Sequence, residues 1–220
     1  MRGNDVYVKI GIFNKLLYDF GKEMSFARRK KVIFTMQKIY DVQVDAVTCA
    51  CLFNVFNLNT HDEEVKFVFD LVEQLELDTF LITHIAEGCC KLRNTSVSRD
   101  RLMKMNAVTR FKNIMSAEVY ACFFKIFGKA KDENVVFALW RHFRNSNNAL
   151  TSNVVTNMLQ AAVVVSGPKP AHRLLDGVLK SNARFVTTNA YRVVMAGYAK
   201  VKIKTAKNQN KKKRKTKEVV

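Results

Sequence analysis

Phe13-Asn14-Lys15-Leu16-Leu17-Tyr18-Asp19-Phe20-Gly21-Lys22 is a phrase that returns as Tyr120-Ala121-Cys122-Phe123-Phe124-Lys125-Ile126-Phe127-Gly128-Lys129 and as Tyr191-Arg192-Val193-Val194-Met195-Ala196-Gly197-Tyr198-Ala199-Lys200. Each copy opens on an aromatic and a polar or small residue, continues as an apolar run, and closes on an aromatic, a small residue and Lys. Self-similarity at a period of about 35 residues marks a repeat architecture. The same landmarks put Cys49-Ala50-Cys51-Leu52-Phe53, Ile82-Thr83-His84-Ile85-Ala86 and Thr156-Asn157-Met158-Leu159-Gln160 at equivalent points. Units then run over 10–45, 46–78, 79–116, 117–152 and 153–187, with a partial sixth over 188–203. A lead-in, 1–9, precedes them and a tail, 204–220, follows. The extra length of the third unit falls at Asn94 to Arg99, predicted as an expanded loop between helices.

Within a unit the apolar residues recur three and four apart, as in Leu16, Leu17 and Phe20 and then Val32, Ile33, Met36 and Ile39, which is helical spacing on two successive segments. Two prolines and eight glycines in 220 residues leave long stretches free of helix breakers. Helix stops and starts fall at Gly21-Lys22-Glu23-Met24-Ser25, at Asn57 to Glu64, at Gly128 to Glu133 and at Ser166 to Pro170. The acidic Asp62-Glu63-Glu64 suits a helix N-terminus through the dipole alone. A lone helical hairpin cannot hide both apolar faces, so neighbours must stack. The expected fold is all-α: a right-handed α-solenoid of helix-turn-helix repeats, with the first helix of each pair lining a concave surface. Phe53, Phe69, Phe124, Phe137, Trp140, Leu174 and Leu175 are its expected core.

The formal net charge is +18. From Lys204 onward the tail contributes +7 of this, which leaves +11 on residues 1–203. A charge of this size points to a polyanion partner. The segment Lys207 to Lys217 within the 204–220 tail lacks apolar periodicity and is expected to be disordered when free, as a nuclear-import signal or an RNA clamp. Arg28-Arg29-Lys30-Lys31 covers a full helical turn, so only part of it faces one ligand. No apolar run reaches the roughly 20 residues that span a bilayer, and no membrane partner is expected. The N-terminus reads as neither a signal nor a transit peptide.

Cys49, Cys51, Cys89, Cys90 and Cys122 are odd in number and lack C-x-x-C spacing, so they read as buried packing residues in a reducing compartment. His61, His84, His142 and His172 fall in different units, and no metalloprotease, phosphate-loop or nucleophile-elbow motif is present. The expectation is a binding protein without catalytic residues, metal or cofactor.

The helix starts Phe13-Asn14-Lys15-Leu16-Leu17 and Val119-Tyr120-Ala121-Cys122-Phe123-Phe124, the ends Phe20-Gly21-Lys22 and Phe127-Gly128-Lys129, and the junction Val44-Asp45-Ala46-Val47-Thr48 resemble those of pentatricopeptide repeat proteins. The proline usual before the closing Asp is absent at every junction. The resemblance spans about residues 8–203 and implies an α-solenoid that binds single-stranded RNA. A polar residue near the start of each first helix and the residue closing the unit would read one base. By position these pairs are Asn14 with Asp45, favouring uracil, Thr83 with Ser116, and Asn157 with Thr187. Val47 would help sandwich the base, and Ala50 with Asp78 and Ala121 with Ser152 would be blind to its identity. Lys15, Lys125 and Arg192 are further candidate RNA contacts. The resemblance implies a component or assembly factor of an organellar ribonucleoprotein, such as the mitochondrial ribosome, bound to ribosomal RNA beside other proteins. Mitochondria are the expected location, with nucleus or plastid as alternatives. The competing reading is a protein-binding scaffold within such a complex.

Overall fold

The structure, a computed structural model, describes residues 2–107 and 115–217. Residues 108–114 of the third expected unit and 218–220 of the tail lie outside them. Every regular element among the described residues is helical. In chain order these are α1 (Arg2–Phe20), α2 (Phe26–Lys38), α3 (Ala46–Asn54), α4 (Asp62–Val72), α5 (Thr79–Lys91), α6 (Ser96–Lys104), α7 (Ala117–Lys129), α8 (Glu133–Arg144), α9 (Ser152–Ser166), α10 (Pro168–Asn182), a 3-10 turn (Ala183–Phe185) and α11 (Thr188–Lys217). The all-α expectation holds.

Short polar side chains set where the helices begin, because the first turn of a helix leaves its N–H groups without intrahelical acceptors. Ser25, Asp45, Asp78, Ser116, Asp132 and Thr151 each accept a backbone N–H three residues on, and at Asp45 the Thr48 hydroxyl closes a reciprocal capping box. Between α9 and α10 the turn is made by Gly167 at φ +88°, a conformation that side chains with a Cβ rarely adopt.

The odd-numbered helices contact one another in chain order, α1 on α3, α3 on α5, α5 on α7, α7 on α9 and α9 on α11. Each even helix packs on the odd helix before it, after it, or both, and α4 also touches α6. The core lies between the two sets. Phe53 meets Phe56 and Phe69 edge-on at 5.1 and 5.4 Å, and Tyr120 meets Phe143 at 5.2 Å. Phe53, Phe69, Phe124 and Leu175 are buried as expected, while Phe137, Trp140 and Leu174 are half-buried.

Very close approach holds the odd set together. A methyl group on Gly88 would stand 2.7 Å from the backbone oxygen of Phe53, and one on Gly128 2.7 Å from the Ala161 Cβ. A second tie is polar. Arg29 is buried, and its Nε donates to Glu64 Oε1 at 2.9 Å while Nη1 donates to the carbonyls of Gly21, at 2.8 Å, and Met24. Glu64 is therefore an ion-pair partner, not only a dipole-matched carboxylate. Of the basic run, Arg28, Lys30 and Lys31 stay exposed.

Three boundaries depart from the sequence expectation. Helix α1 starts at Arg2, inside the expected lead-in, where no proline interrupts the turn. The expected loop at Asn94–Arg99 is mostly the start of α6: the Asn94 side chain accepts from the Ser96 N–H and hydroxyl, and the helix begins at Ser96. Residues 204–217, expected to be disordered, continue α11 to Lys217, since no Gly or Pro follows Gly197 and Lys and Arg are good helix formers.

Gly88→Ala is expected to lower unfolding free energy by about 1–3 kcal/mol in urea titrations, the range for overpacking a filled site. Gly11, with nothing within 4 Å, is the control position: Gly11→Ala leaves stability unchanged or raises it.

Candidate nucleic-acid interface

Three of the five residues expected to close a unit, Asp45, Asp78 and Ser116, prove to be helix caps. Asp45 accepts from Thr48 N at 2.7 Å, Asp78 from Leu81 N at 2.8 Å and Ser116 from Val119 N at 3.3 Å. In the fourth unit the cap is Thr151, which accepts from Val154 N at 3.2 Å, and not its neighbour Ser152. Adjacent hydroxyl residues look alike in sequence, and only the backbone geometry separates them. The carbonyl of Thr187 accepts from Ala190 and Tyr191 N at the start of α11.

The structure brings Asn14 and Asp45 together and then uses both internally. Asn14 is only 9% exposed; its Nδ2 donates to Asp45 Oδ1 at 3.2 Å and its Oδ1 accepts from the Thr48 hydroxyl at 2.6 Å. This network ties α1 to the start of α3. At the equivalent points Ala50 and Ala121 are 3% and 2% exposed. Thr83 donates to Thr79 O at 2.7 Å and Asn157 to Asn153 O at 3.0 Å, each within its own helix. Among the described residues no hydrogen bond joins Thr83 to Ser116 or Asn157 to Thr187. Val47 is 45% exposed on α3, open to a stacking partner.

Of the candidate cations, Lys15 pairs with Asp19 at 2.9 Å, while Lys125 and Arg192 are exposed. Lys125 and Asn157 border one hollow of about 60 Å³ between α7 and α9, room for a water or two but not for a nucleobase.

Charge is sparse on the inner odd helices α3, α5, α7 and α9, whereas α1, α11 and the even helices carry most of the Lys and Arg. Helices α3 and α9 contain no ionisable Asp, Glu, Lys or Arg; α5 contributes only Glu87 and Lys91, and α7 only Glu118, Lys125 and Lys129. The even helices hold Arg28, Lys30, Lys31, Lys38, Lys66, Arg141, Arg144, Lys169, Arg173 and Lys180, none in an ion pair among the described residues. The cations of α8 and α10 were not among the sequence candidates. Their signal was visible in Trp140-Arg141-His142-Phe143-Arg144, where aromatic and basic residues interleave.

Where α5 meets α7, Cys90 and Cys122 form a thiol pair beside Lys91, Lys125 and Lys129. A hydrogen bond from the Cys122 thiol, aided by those lysines, holds Cys90 well below the ordinary thiol range, and the same pairing pushes Cys122 up. Burial pushes Cys49 and Cys89 up to about 12. Both members of the pair are half-buried, whereas the expectation was burial of all five cysteines.

Among the described residues no group of three or more His, Cys, Asp or Glu is placed to hold a metal ion, and no helix is long and apolar enough to cross a membrane. No family model matches the chain, no curated protein matches it, and no solved structure matches it.

Asn14→Ala is expected to cost about 1 kcal/mol of stability in chemical denaturation, since it removes the hydrogen bonds to Asp45 and Thr48 while the Thr48 hydroxyl keeps Asp45 Oδ1 at 2.7 Å. A lowered pKa raises the thiolate fraction of Cys90, so iodoacetamide at pH 7 should label it ahead of Cys49 and Cys89, which burial holds as thiols and which react only on unfolding. Cys122→Ala should slow that labelling at pH 7 and leave it unchanged at high pH; mass-mapped alkylation rates read both.

Proposed function

We propose that the chain is an RNA-binding helical-repeat protein, a right-handed α-solenoid of the pentatricopeptide type that serves within a ribonucleoprotein. The observation that carries the reading is the uncompensated positive charge: exposed, unpaired Lys and Arg along the even helices, joined to a net +18 and a Lys-rich C-terminus. Such cations hold phosphates without reading bases. The stacking of odd helices in chain order supports the solenoid, and the phrase at Phe13 to Lys22 supports the repeat type.

Base selectivity in this reading is weak. The Asn14–Asp45 pair spends its hydrogen bonds on α1 and α3, and the alanines at two further positions have none to offer. The fixed partner is then structured or ribosomal RNA whose single-stranded segments meet the protein inside a particle. A mitochondrial particle is the setting that the family resemblance suggests, with plastid or nucleus as the alternatives.

One observation favours a second role for the other set of helices. Uncharged α3 and α9, with Val47 at 45% and Val164 at 47% exposed, suit an apolar protein surface better than a phosphate backbone. A scaffold that grips a protein on its odd helices and RNA on its even ones combines both readings.

Fluorescence anisotropy of a labelled single-stranded RNA tests the proposal. With about six phosphates neutralised, affinity should fall roughly a thousandfold between about 50 and 200 mM salt, and U-rich and A-rich strands should bind alike. Affinity that ignores salt, or no binding at the lowest salt, would sink it in favour of the scaffold alone.

A further inference from the structure

Between α8 and α10, on the even side of the last two complete pairs, lies a cavity of about 570 Å³, within the size range of small-molecule sites. Its aromatic wall is the Trp140 indole. That ring lies parallel to Phe143 at 6.0 Å and 10°, and buried Phe143 is itself wedged edge-on by Tyr120 at 5.2 Å. The indole is thus braced by Phe143, which lines the cavity beside it, and is itself half-buried.

Three guanidinium groups line the same cavity: Arg144 from the last turn of α8, Arg173 from α10 and Arg184 from the 3-10 turn. No Asp or Glu lines it, and none of the three has an ion-pair partner among the described residues. Arg184 lies over the Phe185 ring at 4.7 Å. The C-terminal ends of α8 and α10 also face this region and bring partial negative charge, which a single cation would do little more than offset; three leave a surplus. Asn148 adds a fixed acceptor, because its Nδ2 donates to Met115 O at 2.8 Å and to Ser146 Oγ at 3.1 Å, which leaves its Oδ1 open.

A rigid aromatic plate, three permanent planar cations and an oriented amide oxygen in one cavity match one ligand chemistry. Indole faces stack on nucleobases, guanidinium forks match phosphate oxygens, and an amide oxygen accepts from a base amino group. We propose that this cleft is a nucleotide site, in which a base stacks on Trp140 and its phosphate is held by Arg144, Arg173 and Arg184. The nucleotide is either one unit of a bound RNA strand or a free nucleotide. In the first case the inference rests on the RNA-binding reading and adds to it a base contact on the even helices; in the second it stands alone.

Trp140 is the only tryptophan, so its emission reports this cleft and nothing else. The full chain is titrated with UMP, AMP, a labelled single-stranded RNA and an Asp/Glu-rich peptide, with RNA anisotropy followed in parallel. Quenching by RNA that tracks the anisotropy supports the site with RNA as its source; quenching by UMP or AMP without RNA binding supports it with a free nucleotide and removes the RNA reading. Arg144→Ser combined with Arg173→Ser, both exposed positions, should shift the quenching midpoint by about tenfold or more while circular dichroism stays unchanged. A rise in RNA anisotropy with Trp140 emission unmoved by any nucleotide overturns the cleft and leaves the RNA reading standing. Quenching by the acidic peptide alone, or a midpoint that ignores the arginine changes, overturns it as well.

Discussion

The close contact of one odd helix with the next governs this molecule. Where Gly88 meets the Phe53 backbone and Gly128 meets Ala161, there is no room for even a methyl group. Helices drawn that near exclude water from the positions between them, and those include the points at which a repeat protein of the resembled type would present base-reading side chains. Asn14 is folded into a seam between α1 and α3, and Ala50 and Ala121 fill space. Tight stacking and open base readout compete for the same residues, and stacking has taken Asn14, Ala50 and Ala121.

Charge then goes where contact is loosest. Uncharged α3 and α9 sit deep in the odd row, and a Lys or Arg there would have to be desolvated against a neighbouring helix. The outer faces of the even helices keep Arg28, Lys31, Lys66, Arg141 and Arg173 in water. Helices α3 and α9 are thus free of charge, while the outer faces of the even helices, with Arg192, Lys200 and Lys202 of α11, carry exposed cations.

Much of the fold was legible in the phrase around Phe13 to Lys22, because helical periodicity and repetition both survive in it. The capping residues were legible too, although as ligand-reading candidates: Asp45, Asp78 and Ser116 satisfy orphan N–H groups whatever else they do. Arg29 could not be told from Arg28, Lys30 and Lys31, since the four look equally solvated until Glu64 arrives from 35 residues away. The cleft around Trp140 was hidden for a similar reason. Its cations come from three elements, and only Arg144 lies close in sequence to the indole.

The buried Arg29–Glu64 pair bears on how the chain comes to be made. A ribosome finishes α1 and α2 well before it has polymerised α4, and until then a guanidinium waits in an apolar seam without its counter-charge. The leading hairpin is therefore not a self-sufficient starting block. It matures only when the second one has emerged, so N-terminal fragments that stop short of Glu64 should linger as substrates for chaperones.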